Sequence, residues 1–176
     1  MMIRSAAVLC MAILSAQSLT PDLGRLNDAE TWRLIDADAR VDGPVVHLTP
    51  HGNPAVGSNI GLALAQNVKF SEGTLEIDLR GSGRQAASFL GLAFGVTDAR
   101  TFEAVYFRPF RFADADPDAR GHAVQYVTRQ KVSVTIDGSS QPCLVVDRLG
   151  HREGDVGLWV DSMPGAFRNL RIQPAK

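Results

Sequence analysis

The segment Thr101–Phe112, TFEAVYFRPFRF, concentrates side chains that can do chemistry. Read as a strand, it sends Glu103, Val105 and Phe107 to one face and Ala104, Tyr106 and Arg108 to the other. Val105 and Phe107 suit an apolar core, which leaves Tyr106 and Arg108 on the opposite surface. Tyrosine brings an apolar ring and a hydroxyl; arginine brings five N–H donors for hydroxyls or carboxylates. Pro109 holds Arg108 extended and ends strand pairing. The competing fate of Arg108 is a structural bridge to an acidic neighbour. Glu103 falls on the core side, where a carboxylate needs a partner. A bulge would turn it outward and make it a candidate general base.

Downstream, ARGHAVQYV carries Arg120, His122 and Gln125 toward the same surface if the two segments pair as strands. Histidine is the side chain type that exchanges protons near neutrality, which makes His122 a candidate acid or base, although a histidine at a strand start commonly serves as a structural hydrogen-bonder. Gln125 can donate to and accept from hydroxyl groups. Between the segments, Asp114, Asp116 and Asp118 are spaced like the start of a calcium loop. The sixth-place glycine and the closing bidentate glutamate are missing, and Pro117 interrupts the run. A solvated acidic loop facing Arg111 and Arg120 is the simpler expectation. His47 and His51 are four apart, but Pro50 denies them one helical face, so no zinc site is expected.

These residues need a β framework to position them. TLEIDLR alternates Leu75, Ile77 and Leu79 against Glu76, Asp78 and Arg80. FLGLAFGV sets Leu90, Leu92, Phe94 and Val96 opposite Phe89, Gly91, Ala93 and Gly95. The row of small residues marks that face as the concave one, open to close approach. VVHLT, IGLALA, CLVVD, VGLWVD and AFRNLRI supply further strands. VSVTID ends in Asp137-Gly138, a hairpin signal. DAETWRLID fits a short helix or a strand equally well, and Trp32 within it stays unassigned. Trp159 is expected in the core. So many short strands with almost no helical periodicity predict an all-β, antiparallel two-sheet sandwich.

With 45% hydrophobic and 21% charged residues in 176, the chain has a globular balance and the length of one domain. A formal net charge of −1 with no basic block argues against nucleic-acid binding. At the N-terminus, Arg4 precedes an apolar run from Ala6 to Leu14 and then small residues at Ala16 and Ser18. That is the pattern of a secretory signal peptide over residues 1–18, with cleavage near Ser18. The run is shorter than the roughly 20 residues that span a bilayer, so no membrane attachment is expected after cleavage. The mature domain is then 19–176, secreted or periplasmic. Cleavage removes Cys10 and leaves Cys143 without an internal partner, so a disulfide scaffold is excluded and Cys143 is read as a small buried hydrophobe.

In order along the chain, FSEGTLEIDLRG, FLGLAFGV, FEAVYFRPFRF, HAVQYV, PCLVV and GLWVD…GAFRNLRI resemble secreted bacterial domains of the concanavalin A-like lectin/glucanase superfamily, the group related to LamG modules. The resemblance spans Trp32 to Ile172. It implies a jelly roll of two curved sheets, with sugars held on the concave face or its rim. One departure concerns VTRQK, the only residues between Tyr126 and Val132 where such domains carry a longer segment; either a surface loop or a core strand is missing. EIDLRG also resembles the opening of a laminarinase-type motif. Retaining glycosidases need two carboxyls about 5–5.5 Å apart, and Arg80 and Gly81 stand where the partner to Glu76 and Asp78 belongs. The resemblance therefore implies a noncatalytic or weakly catalytic carbohydrate-binding domain, with Tyr106, Arg108, Arg120 and Gln125 at the ligand and no cofactor beyond a possible calcium ion at Asp114, Asp116 and Asp118. A sugar hydrolase using Glu103 with His122 is the second reading, and a structural or adhesion module the third.

Overall fold

The structure, a computed structural model, describes residues 18–52, 55, 58–127, 131–134, 141, 143–147 and 153–175. Residues 1–17 of the leader pattern and the Asp137-Gly138 turn lie outside them. The described chain forms two antiparallel sheets and a two-stranded ribbon. The larger sheet runs, in spatial order, β1 (Trp32–Ile35), β4 (Ile60–Phe70), β11 (Gly154–Asp161), β6 (Phe89–Val96), β7 (Glu103–Phe107) and β8 (Val124–Val127). The smaller runs β2 (Ala37–Asp42), β3 (Val45–Pro50), β12 (Gly165–Pro174) and β5 (Gly73–Arg80). The ribbon pairs β9 (Lys131–Val134) with β10 (Leu144–Asp147), antiparallel with Val134 opposite Leu144.

Period-two alternation decides which residues meet between the sheets. From the small sheet come Val46, Leu48, Phe167, Leu170 and Ile172, with Leu75, Ile77 and Leu79 packed against them. From the large sheet come Trp32, Ala63, Leu90, Leu92, Phe94, Val105, Leu158 and Val160. Val134 and Leu144 of the ribbon pack on the same core. Within DAETWRLID a turn leads into the four-residue strand Trp32–Ile35: Trp32 is sunk to 1% exposure, and its Nε1 donates to the Asp22 carbonyl at 2.9 Å.

A second apolar cluster lies on the outer face of the large sheet, where Leu62, Leu64, Ala93, Val96 and Trp159 are buried. This corrects the expectation of an open groove over Gly91, Ala93 and Gly95. All three are buried, and Trp159 belongs to this outer layer instead of the intersheet core. Gly91 serves a different purpose. A Cβ there would collide with the Val105 carbonyl oxygen and stand 2.7 Å from Tyr106 Cα, so only glycine lets β7 pair at this register.

Candidate functional site

The register across β6, β7 and β8 places Gly91, Tyr106 and Gln125 in one row. Pairing is continuous, with no bulge in β7, so the alternation holds along the strand and Tyr106 points away from the intersheet core. The Tyr106 hydroxyl donates to Gln125 Oε1 at 2.6 Å. Arg108 Nη2 donates to the same oxygen at 2.9 Å and reaches the Tyr106 oxygen at 3.5 Å. The Arg108 backbone N–H closes on the Ala123 carbonyl at 2.7 Å, after which Pro109 opens a 3-10 turn over Pro109–Arg111. Pro109 suits the start of such a turn because its φ is already fixed and its missing N–H is not required.

That turn brings Phe110 edge-on to Phe89, with centroids 5.9 Å apart. Phe89 in turn meets Tyr106 edge-on at 6.1 Å, and Tyr106 tilts against Trp159 at 5.1 Å. The Arg108 guanidinium carbon sits 5.7 Å from the Phe89 centroid and 5.8 Å from that of Tyr106. Beside these rings opens a hollow of about 260 Å³ lined by Gln85, Ala86, Phe89, Arg108, Phe110 and Arg111. Its loop wall is tied down by Ser88, almost wholly buried, whose hydroxyl accepts the Ser82 N–H at 2.9 Å. Ala86 on that wall has φ +55°, a left-handed conformation that costs a non-glycine residue on the order of 1–2 kcal/mol. Strain of this kind concentrates at binding and catalytic sites.

The two arginines of the hollow differ in their partners. No carboxylate among the described residues pairs with Arg108; its side-chain partners are an amide oxygen and a phenol. Arg111 does have one, Asp114 at 3.0 Å, and stacks over Phe110 at 5.7 Å. The Nε atoms of both arginines, and Nε1 of Trp159, are buried and find no hydrogen-bond partner among the described residues. An unmet donor in a partly desolvated place is costly, more so on a charged group.

The structure brings Tyr106, Arg108 and Gln125 together and sends the other predicted residues elsewhere. Glu103 stays on the core face at 9% exposure, where the Tyr126 hydroxyl donates to its Oε2 at 2.5 Å and the Tyr126 ring stacks on Phe94. His122 is exposed at the C-terminal end of α1 (Pro117–Gly121), beyond the start of β8. Glu103 and the Arg108–Ala123 contact are five residues apart along β7, roughly 17 Å of strand, and His122 lies past that contact. The pairing of Glu103 with His122 as acid and base is therefore corrected: they occupy opposite ends of the strand pair. Arg120 directs Nη1 to the carbonyls of Asp114 and Ala115, at 2.6 and 3.1 Å, and so braces the loop.

The acidic excursion is also self-contained. Asp114 Oδ1 accepts the Asp116 N–H, and Asp116 caps α1 through the Asp118 N–H at 3.0 Å. Among the described residues no three histidine, cysteine or acidic side chains converge on a possible metal position. Glu76 and Asp78 lie exposed on β5 of the other sheet, paired with Arg171 and Arg168. Cys143 corrects a further expectation: it is exposed, not buried, and partial desolvation pushes its thiol above the ordinary pKa, away from a reactive thiolate.

Sequence reasoning did not single out Phe89, Phe110, Arg111, Gln85 or Ala86 as site residues. The alternation of FLGLAFGV already put Phe89 on the face of Tyr106, and Pro109 was the signal that the next two residues leave the strand. No protein-family model matches the chain, and neither a curated protein nor a solved structure matches it.

Proposed function

We propose that this chain is an exported, noncatalytic carbohydrate-binding domain, a jelly roll of the concanavalin A-like kind, which holds a glycan in the hollow beside Arg108. The observation that carries the reading is the composition of that hollow: half-buried phenylalanine rings at Phe89 and Phe110 next to guanidinium and amide groups. Sugars present C–H faces that pack on aromatic rings and hydroxyls that need fixed donors and acceptors. At about 260 Å³ the hollow is below the roughly 300–1,000 Å³ of sites that engulf a drug-sized ligand. It has room for one sugar ring of a chain running over the surface.

An adhesion surface would need a contiguous apolar patch, whereas among the described residues only Leu19 and Phe112 are large apolar side chains left exposed. Export rests on the leader pattern at residues 1–18. Among the described residues no helix is long and apolar enough to cross a membrane.

The test is a polysaccharide panel, neutral and acidic, read by affinity electrophoresis and calorimetry. At least one member should bind, and Phe110→Ala should weaken it about tenfold, through loss of one ring face, in a variant that circular dichroism shows to be folded at the assay temperature. Failure of the whole panel to bind sinks the reading.

A further inference from the structure

Resting on that reading, we infer that the sugar held at this site is acidic: a uronic-acid residue whose carboxylate sits between Arg108 and Arg111. Two guanidiniums line the hollow and no acidic side chain does. Asp114 compensates Arg111, but Arg108 has only neutral partners, Gln125 and Tyr106. The aromatic faces beneath Arg108 attract the cation without cancelling its charge.

Elsewhere, Arg25, Arg33, Arg40, Arg168 and Arg171 each pair with a carboxylate. Other arginines without a carboxylate partner among the described residues, Arg80, Arg84, Arg100 and Arg120, are exposed and solvated by water, whereas Arg108 is half-buried over aromatic rings. A neutral sugar hydroxyl can accept from Arg108 but leaves the net charge facing a partly dry wall. A carboxylate supplies the missing charge and several acceptor sites in a plane that matches the guanidinium fork. The Phe89 and Phe110 rings then take the apolar face of the same sugar, and the hollow admits one ring. An anion without a ring, such as free phosphate, would leave those faces unused.

The decisive comparison changes only the ligand's charge. De-esterified homogalacturonan, its fully methyl-esterified form, alginate, neutral galactan and dextran sulfate are titrated onto the full chain at about 0.15 M salt. A uronate polymer should bind at least tenfold tighter than the esterified or neutral polymers. Arg108→Gln should weaken it roughly 10- to 100-fold, with partial recovery in Arg108→Lys. Arg111→Gln, on the neighbouring wall, gives a second reading should Arg108→Gln fail to fold. Equal binding of esterified and de-esterified polymer, or binding of neutral polymers alone, overturns the acidic assignment while leaving carbohydrate binding intact. Tight dextran sulfate binding that survives both arginine substitutions overturns it too, as unspecific charge attraction. Binding by no polymer at all defeats both proposals together.

Discussion

The outward faces of the two sheets are built from similar sequence and end in opposite electrostatic states. On the small sheet, TLEIDLR turns Glu76, Asp78 and Arg80 to water, and each carboxylate finds a cross-strand arginine: Arg171 at 3.1 Å and Arg168 at 2.9 Å. On the large sheet, EAVYF and the arginine after it turn Tyr106 and Arg108 outward, over aromatic rings and without a carboxylate. Exposed pairs of the first kind are worth little, because water already solvates both partners. A half-buried cation of the second kind carries a desolvation cost that its neutral partners offset only in part. The first arrangement needs no ligand to complete it; the second has a place for one.

The largest way to break this contrast is to disturb the row that aligns Tyr106 with Gln125. Gly91→Ala places a methyl group against the Val105 carbonyl and Tyr106 Cα, both backbone atoms of β7 that cannot rotate aside. The expected loss is about 3 kcal/mol or more, a fall in melting temperature on the order of 6–12 °C for a domain of this size. Thermal unfolding by circular dichroism checks it. A variant as stable as the parent would mean that β6 and β7 do not meet at this register, and the Tyr106–Gln125–Arg108 triad would lose its footing.

Which parts of this were legible beforehand follows from what alternation can and cannot encode. The faces of Leu75, Ile77 and Leu79, and of Val105 and Phe107 against Tyr106 and Arg108, follow from period two alone. β2 escaped notice because two of its inward residues are Ala37 and Ala39, weak strand formers that give little hydrophobic contrast. Alternation also says nothing of what lies above a face. The Gly91–Ala93–Gly95 row looked open, yet its neighbours across the sheet are Trp159, Leu62 and Leu64, which fill the space small residues leave. Nor does it give position along a neighbouring strand, so Glu103 and His122 looked adjacent while register holds them apart. Phe110 and Arg111 were hidden because Pro109 switches the chain from strand to 3-10 turn, where parity no longer applies.

A smaller change sharpens the contrast from the polar side. Tyr106→Phe keeps the ring against Phe89 and Trp159 but deletes the hydroxyl that donates to Gln125. Gln125 Oε1 then depends on Arg108 alone. A cost of about 1 kcal/mol is expected, or roughly 2–4 °C in melting temperature, measurable in chemical denaturation. No change would mean the triad is ordered by packing alone, and the hydrogen bonds to Gln125 would be incidental to how Arg108 is held.

The smallest effect belongs to the other face. A double-mutant cycle on Asp78→Asn and Arg168→Ala isolates the coupling between two side chains that are each about half exposed. Long flexible partners in high dielectric gain little Coulomb energy and lose rotamer freedom when they meet, so the coupling should be about 0.2–1 kcal/mol. Asn169, which also donates to Asp78, is unchanged in the cycle and softens the single-variant losses. Raising salt to about 1 M shortens the screening length to roughly 3 Å and should shrink the coupling further. A coupling above about 2 kcal/mol that salt leaves untouched would place this pair in a low-dielectric setting like that of Arg108. The two faces would then differ in partners but not in solvation, and the lone state of Arg108 would stop being a sign of a ligand.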